Sequence, residues 1–142
     1  MRLVDDRLLL DLLSDTADAE LSAALAGGEV FTTGSWYYRL ARAVSAGSGT
    51  GSLSGAFQAL SESERQRVLA SLDELPEEIG LLSLRVVVPV IQALPVSGPL
   101  NFLSAEAIGA AILLGAAITV TVDTPLLREA AAEVAVPFEV RA

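Results

Sequence analysis

The sequence of 142 residues contains no cysteine, no histidine and no lysine. Without cysteine, neither a disulfide framework nor a thiolate zinc site is possible. Without histidine, the chain lacks the commonest general base and metal ligand, and every nucleophile arrangement that pairs Ser or Cys with His. Any acid–base or metal chemistry would therefore have to depend on Asp and Glu.

Positive charge is also scarce. All nine cationic residues are Arg, against 18 acidic residues, and the formal net charge is −9. Such a chain lacks the basic surface that is typical of general nucleic-acid-binding proteins, although a local group of Arg side chains could still bind a specific RNA. The negative field favours solubility or a basic partner.

The length predicts a single domain, residues 1–142, that can bury a core without disulfides. Residues 47–55 (GSGTGSLSG) are predicted to be a flexible Gly/Ser loop within it. Acidic residues interrupt the N-terminal segment, which excludes a signal peptide there, and we expect a cytoplasmic protein. The weakly charged stretch Leu100–Val122 is long enough to span a bilayer. Its glycines and its β-branched end favour a helix followed by a buried strand, so we expect no membrane contact.

Patterns of apolar residues predict an α/β fold: a central parallel sheet of about four short strands flanked by helices. The predicted strands are Leu3–Val4, Glu29–Thr32, Ala116–Val122 and Val136–Val140, the last at a sheet edge because it contains Pro137. The predicted helices are Asp6–Leu13, Ala17–Ala26 capped by Thr16, Trp36–Ala46, one from Ser61 to about Leu75, Val86–Leu94, Ala105–Leu114 capped by Ser104, and Pro125–Val134. For Val86–Leu94, a buried strand is the alternative.

Two acids directly follow predicted strands: Asp5 after Leu3–Val4, and Asp123 after the strand that ends at Val122. Because parallel sheets form sites beyond the carboxyl ends of their strands, both would face one crevice if these strands are neighbours. Glu106, in the first turn of the preceding helix, is expected near the same crevice. Clustered carboxylates are ligands that Mg²⁺ prefers. The helix dipole alone also favours acids at helix starts, so a simple capping role is the alternative.

The two ends of the chain carry short motifs in a particular order. The first end has a short strand, an Asp and a helix, in Leu3-Val4-Asp5-Asp6-Arg7-Leu8-Leu9. The other end has an acid that opens an Ala-rich helix, then a strand, a Thr-x-Asp and a last helix and strand; these stretches read Leu103-Ser104-Ala105-Glu106-Ala107, Thr121-Val122-Asp123 and Leu126-Leu127-Arg128-Glu129-Ala130-Ala131. This order resembles that of the PIN-like ribonuclease family, whose domains begin and end in the same way. The resemblance implies metal-dependent RNA hydrolysis, with Mg²⁺ or Mn²⁺ held by Asp5, Glu106 and Asp123.

Two positions depart from the family pattern. Arg39 stands where the family has a helical Glu, and Arg7 replaces a small polar residue two positions after the first Asp. An Arg cannot ligate a cation, but it can neutralise carboxylates as a metal would. We therefore expect Arg39 and Arg7 to neutralise the acidic site, with Arg39 in ion-pair reach of Asp5, Glu106 or Asp123.

The sequence thus favours a PIN-like domain with a degenerate acidic site that is non-catalytic and acts by binding a partner, either a second copy or another protein. The alternative is a toxin-like, Mg²⁺- or Mn²⁺-dependent endoribonuclease that uses the remaining acids on RNA. A third hypothesis is a small-molecule-binding α/β domain without a nuclease history. The aromatic triplet Trp36-Tyr37-Tyr38 could stack on RNA bases, but core packing or a dimer contact is favoured.

Overall fold

The computed structural model describes residues 1–45 and 51–141, which form an α/β domain. Its strands are β1 (Arg2–Val4), β2 (Val30–Thr32), β3 (Ile79–Leu81), β4 (Ala117–Val120) and β5 (Phe138–Val140). Its helices are α1 (Asp6–Leu13), α2 (Ala19–Ala26), α3 (Gly34–Ser45), α4 (Ser52–Gln58), α5 (Glu62–Asp73), α6 (Leu84–Gln92), α7 (Phe102–Leu114) and α8 (Pro125–Glu133). The predicted fold class, a parallel sheet flanked by helices, is confirmed.

The five strands form one sheet in the order β3-β2-β1-β4-β5, and every pair is parallel. As predicted, β1 and β4 are neighbours, with Leu3 opposite Ile118. β5 lies at an edge, also as predicted. The chain leaves β1 towards β2 on one side and returns through β4 on the other, so the strand order reverses at β1. In open parallel sheets, this reversal opens a crevice at the carboxyl ends of the strands.

Successive side chains of β1 point to opposite faces of the sheet, and an apolar core lies on each face. Leu3 packs with Ile118 and Val120 and with side chains of α6, α7 and α8. Its neighbour Val4 points to the opposite face, where it packs with Val30 and with α1 and α2. A third apolar cluster joins α1 to α3, α4 and α5 and contains Leu9, Leu10, Leu13, Leu40, Phe57, Val68 and Ile79. Both faces of the sheet are therefore covered.

Four details of the sequence interpretation are wrong. The fifth strand, β3, was not predicted. The second half of the predicted loop 47–55 is wrong, because Ser52–Gln58 is helix α4; Gly47–Thr50 lie outside the described residues. The Ser54 hydroxyl of α4 donates to the Ala43 carbonyl at 2.9 Å. Asp18 rather than Thr16 caps α2, and Asn101 rather than Ser104 caps α7. As a result, Glu106 lies in the second turn of α7 rather than in its first.

In the part of the chain that the structure describes, no helix has both the length and the apolar character needed to cross a bilayer. The stretch Leu100–Val122 divides instead into α7 and β4, separated by Gly115 in the left-handed conformation (φ 61°).

Candidate functional site

A crevice of about 440 Å³ lies at the carboxyl ends of β1 and β4, where the strand order reverses. Its polar wall includes Asp5, Asp6, Arg7 and Arg39. Its apolar wall includes Trp36, Leu53, Leu103, Val120, Val122 and Leu127. Among the described residues, Asp5 is the only one of the three predicted site acids that lines this crevice.

Asp5 links the end of β1 to the segment that follows β4. Its Oδ1 accepts the backbone N–H of Leu8 at 2.9 Å, so Asp5 is the N-cap of α1. Its Oδ2 accepts both the backbone N–H of Thr121 at 2.7 Å and the Thr121 hydroxyl at 2.9 Å. The residue is 6% exposed. Three donors thus satisfy both oxygens of the carboxylate.

Glu106 lies on the buried face of α7 and is 2% exposed. Its Oε1 accepts the backbone N–H of Ser35 at 3.0 Å. Ser35 is in the first turn of α3, whose N–H groups have no acceptor within the helix. The neighbouring Trp36 N–H is accepted by the Thr33 hydroxyl at 3.1 Å. Glu106 therefore caps a helix 71 residues away in the sequence, and its charge matches the positive end of that helix.

Asp123 lies three residues beyond the end of β4 and is exposed. Its Oδ2 accepts from the Arg128 Nη1 at 2.9 Å, on the first turns of α8. An ion pair with both side chains about half exposed contributes little to stability.

The predicted metal site does not fit these positions. Asp5 is saturated by backbone and hydroxyl donors, Glu106 faces the start of α3, and Asp123 turns to Arg128. Within residues 1–45 and 51–141, no three His, Cys, Asp or Glu side chains come close enough together to hold a metal ion. The three acids thus share one edge of the sheet without converging.

Arg39 pairs with Asp6: its Nε lies 3.4 Å from Asp6 Oδ2. The prediction that Arg39 would pair with Asp5, Glu106 or Asp123 is wrong, since none of these lies within ion-pair distance in the described structure. Asp5, as the N-cap, turns its carboxylate to the first turn of α1 and to Thr121. Asp6, one residue later, instead directs its carboxylate towards α3.

Arg7 is likewise not paired with a predicted site acid. Its Nε lies 3.4 Å from Oδ1 of Asp11, one turn further along α1. Of the aromatic triplet, Trp36 is buried in the core, and the Tyr37 hydroxyl donates to the Leu72 carbonyl. Tyr38 is 62% exposed. The triplet therefore does not form one stacking surface.

Sequence reasoning missed Thr121 and Ser35 as partners of the acids. Both contacts join residues that are far apart in the chain, so no local signal could have revealed them. Asp6 was also not among the predicted site residues. The Oδ2 of Asp6 is buried and accepts no hydrogen bond from the described residues, although Arg39 lies nearby. Burial raises the pKa of Asp6 above its ordinary value of 3.8, Arg39 opposes this rise, and the charge of Asp5 adds to it.

Arg39→Ala is expected to raise the pKa of Asp6 further, because it removes the cation that opposes the effect of burial. A raised folded-state pKa means that folding favours the protonated acid. The stability that Asp6 contributes is therefore fully present below its unfolded-state pKa of 3.8. It is lost as the pH rises through the folded-state pKa. Carboxyl-carbon NMR titration of wild type, Arg39→Ala and the control Arg42→Ala measures the shift. An unchanged Asp6 titration in Arg39→Ala would contradict the ion pair.

Comparisons of this chain with protein-family models, with characterised proteins and with solved structures found no significant match.

Proposed function

We propose that this chain is a non-catalytic PIN-like domain that acts by binding a partner at the carboxyl edge of its sheet. The observation that carries the proposal is the separate engagement of the three acids, each with its own donor group. The parallel neighbours β1 and β4 support the family resemblance, since they put Asp5 and the Thr121-Val122-Asp123 segment at one edge. The acids then act as structural groups.

Exposed apolar side chains around the crevice support partner binding. We call Phe102, Val122 and Leu126 the apolar rim; they are 51%, 71% and 59% exposed. Val122 lines the crevice, and the other two lie in the first turns of α7 and α8, which begin at this edge. Grouped exposed apolar side chains mark interaction surfaces more often than isolated ones do. The partner is a second copy of the chain or another protein.

The alternative function is a Mg²⁺- or Mn²⁺-dependent, toxin-like endoribonuclease. It is favoured by one observation: Asp5 and Glu106 both lie at the carboxyl edge, beyond the neighbouring strands β1 and β2. Metal catalysis would require Asp5 to exchange donors for a cation and Asp123 to leave Arg128.

An RNA-cleavage assay with Mg²⁺ or Mn²⁺ separates the two functions. We expect no cleavage above the level of a protein-free control. We also expect no rise in melting temperature at millimolar metal, whereas a metal bound at saturation would stabilise the fold by a few kcal/mol. Cleavage by wild type that is lost in Asp123→Asn would overturn the non-catalytic assignment. Asp123 is exposed, so that variant should fold normally.

Partner binding is tested by comparing what tagged variants capture from a lysate, and by their mass in solution. Val122→Asp with Leu126→Asp should lose a partner, or a dimer, that wild type retains. The matched control is Leu113→Asp, which changes a 45% exposed residue at the far end of α7. If no interaction depends on the apolar rim, partner binding at this edge is wrong.

A further inference from the structure

We propose that the crevice binds a small organic anion, a carboxylate or phosphate monoester carried on an apolar body. This inference goes beyond partner binding, and it rests on the proposed function only in that the acids must not be holding a metal. The family resemblance implies an acidic crevice for cations. The geometry points to the opposite polarity.

The two acids that line the crevice interact with other groups of the protein. Both oxygens of Asp5 already accept hydrogen bonds, three in all. Asp6 is 13% exposed, and its Oδ2 is buried beside Arg39. The oxygens of Asp5 are therefore satisfied within the protein, and Oδ2 of Asp6 is buried beside Arg39 rather than open to a ligand.

What the crevice offers instead is hydrogen-bond donors. The Arg39 side chain is 59% exposed and faces Asp6 through Nε, while its Nη1 and Nη2 donate to no residue that the structure describes. The planar fork of these two nitrogens matches the two oxygens of a carboxylate or phosphate. Ser104 and Thr124, which both carry hydroxyls, line the same space, and Thr124 caps α8 without a side-chain hydrogen bond.

The start of α8 adds to the positive potential. Thr124 is its N-cap and Pro125 follows, so the N–H groups of Leu126 and Leu127 have no acceptor in the helix and receive no side-chain cap. Leu127 lines the crevice. Because Arg39 and this helix end line the same crevice, the positive charge of both would favour a bound anion.

The apolar wall of the crevice would contact the apolar body of the ligand. Trp36, Leu103 and Val122 line the same crevice. The volume of about 440 Å³ falls in the range of small-molecule sites, roughly 300–1,000 Å³, and is too small for a folded partner. The ligand thus combines one oxyanion with a few apolar carbon atoms.

The test is an NMR titration of the full chain with hexanoate, phenyl phosphate and inorganic phosphate, without metal. Salt near 0.15 M screens the repulsion between these anions and the distant acidic surface. We expect the signals of Arg39 Nε–H and of the Ser104 and Thr124 amides to shift with hexanoate, phenyl phosphate or both. The two organic probes identify the oxyanion. Inorganic phosphate should bind more weakly, because it lacks the apolar body.

Variants of the two partners in the Arg39–Asp6 ion pair should change the affinity for the anion in opposite directions. Arg39→Gln should weaken binding about ten-fold or more, since it removes a charge-assisted fork. Arg42→Gln is the matched control, because Arg42 is exposed on the same helix and does not line the crevice. Asp6→Asn should strengthen binding, because it frees the charge of Arg39 for the ligand.

Equal binding by wild type and Arg39→Gln, or no shifts at millimolar probe, would overturn the proposal. Shifts produced by a short single-stranded RNA but by neither organic probe would also overturn it, in favour of a nucleic-acid site. The RNA-cleavage assay is separate: nuclease activity would refute the proposed function, whereas the anion titration tests only the polarity of the crevice.

Discussion

Replacing Asp5 with alanine is expected to lower the free energy of unfolding by about 3 kcal/mol. Losing the cap of α1, the bond to the Leu8 N–H, accounts for about 1 kcal/mol. The N–H and hydroxyl of Thr121 then lose their acceptor in a partly buried place, which costs about 1–3 kcal/mol. Urea denaturation at pH 7 in EDTA measures the change.

Asp123→Ala is the matched control for this prediction. Both acids lie at the same edge and both are predicted site residues, but Asp123 is exposed and, among the described residues, bonds only to Arg128. Its replacement should cost less than about 0.5 kcal/mol. Asp5→Asn should also be destabilising, because its amide nitrogen would face a backbone donor. A cost for Asp5→Ala as small as that for Asp123→Ala would mean that Asp5 is not the structural link described above.

The sequence predicted the strands that meet at the site, because buried parallel strands have simple apolar patterns. Leu3-Val4 and the run from Ala116 are both of this kind, but the second strand ends at Val120 rather than at the predicted Val122, so only Asp5 directly follows its strand. The strand β3 has no such pattern: it is three residues long, contains Gly80 and ends at the exposed Leu81. Its place in the sheet is fixed by pairing with β2, which is a non-local contact.

Helix starts were harder to predict where two capping residues compete. Asn101 and Ser104 are three residues apart, and either could cap α7; the structure has the Asn101 side chain accept the Ser104 N–H at 2.8 Å. Thr16 and Asp18 present the same ambiguity before α2. Which of the two residues becomes the N-cap depends on where the backbone first adopts helical dihedral angles. The residue type alone does not specify that position.

The roles of the acids could not be predicted from position alone. Asp5 and Asp6 are adjacent, but one is a cap and the other pairs with Arg39, because successive residues at a helix start point in different directions. The decisive contacts of Asp5 and Glu106 span 116 and 71 residues. Only the packed arrangement shows that the acids meet donors rather than one another.

Glu106→Ala is expected to lower the free energy of unfolding by about 3 kcal/mol. The side chain is 2% exposed, and its carboxylate accepts the Ser35 N–H at the start of α3. Alanine leaves that N–H without its acceptor and leaves an empty space beside Gly34, to which Oε2 lies close. The anion's favourable interaction with the helix dipole is lost as well.

Two further variants separate the parts of this effect. Glu106→Gln keeps an acceptor oxygen of the same reach and loses only the charge, so it should cost about 1 kcal/mol. Thr33→Ala removes the neighbouring cap, the acceptor of the Trp36 N–H, and should also cost about 1 kcal/mol. Urea denaturation in EDTA, repeated with millimolar Mn²⁺, measures all three. If Glu106→Ala were as stable as wild type in EDTA but lost a stabilisation that Mn²⁺ gives to wild type, Glu106 would be a metal ligand rather than a helix cap.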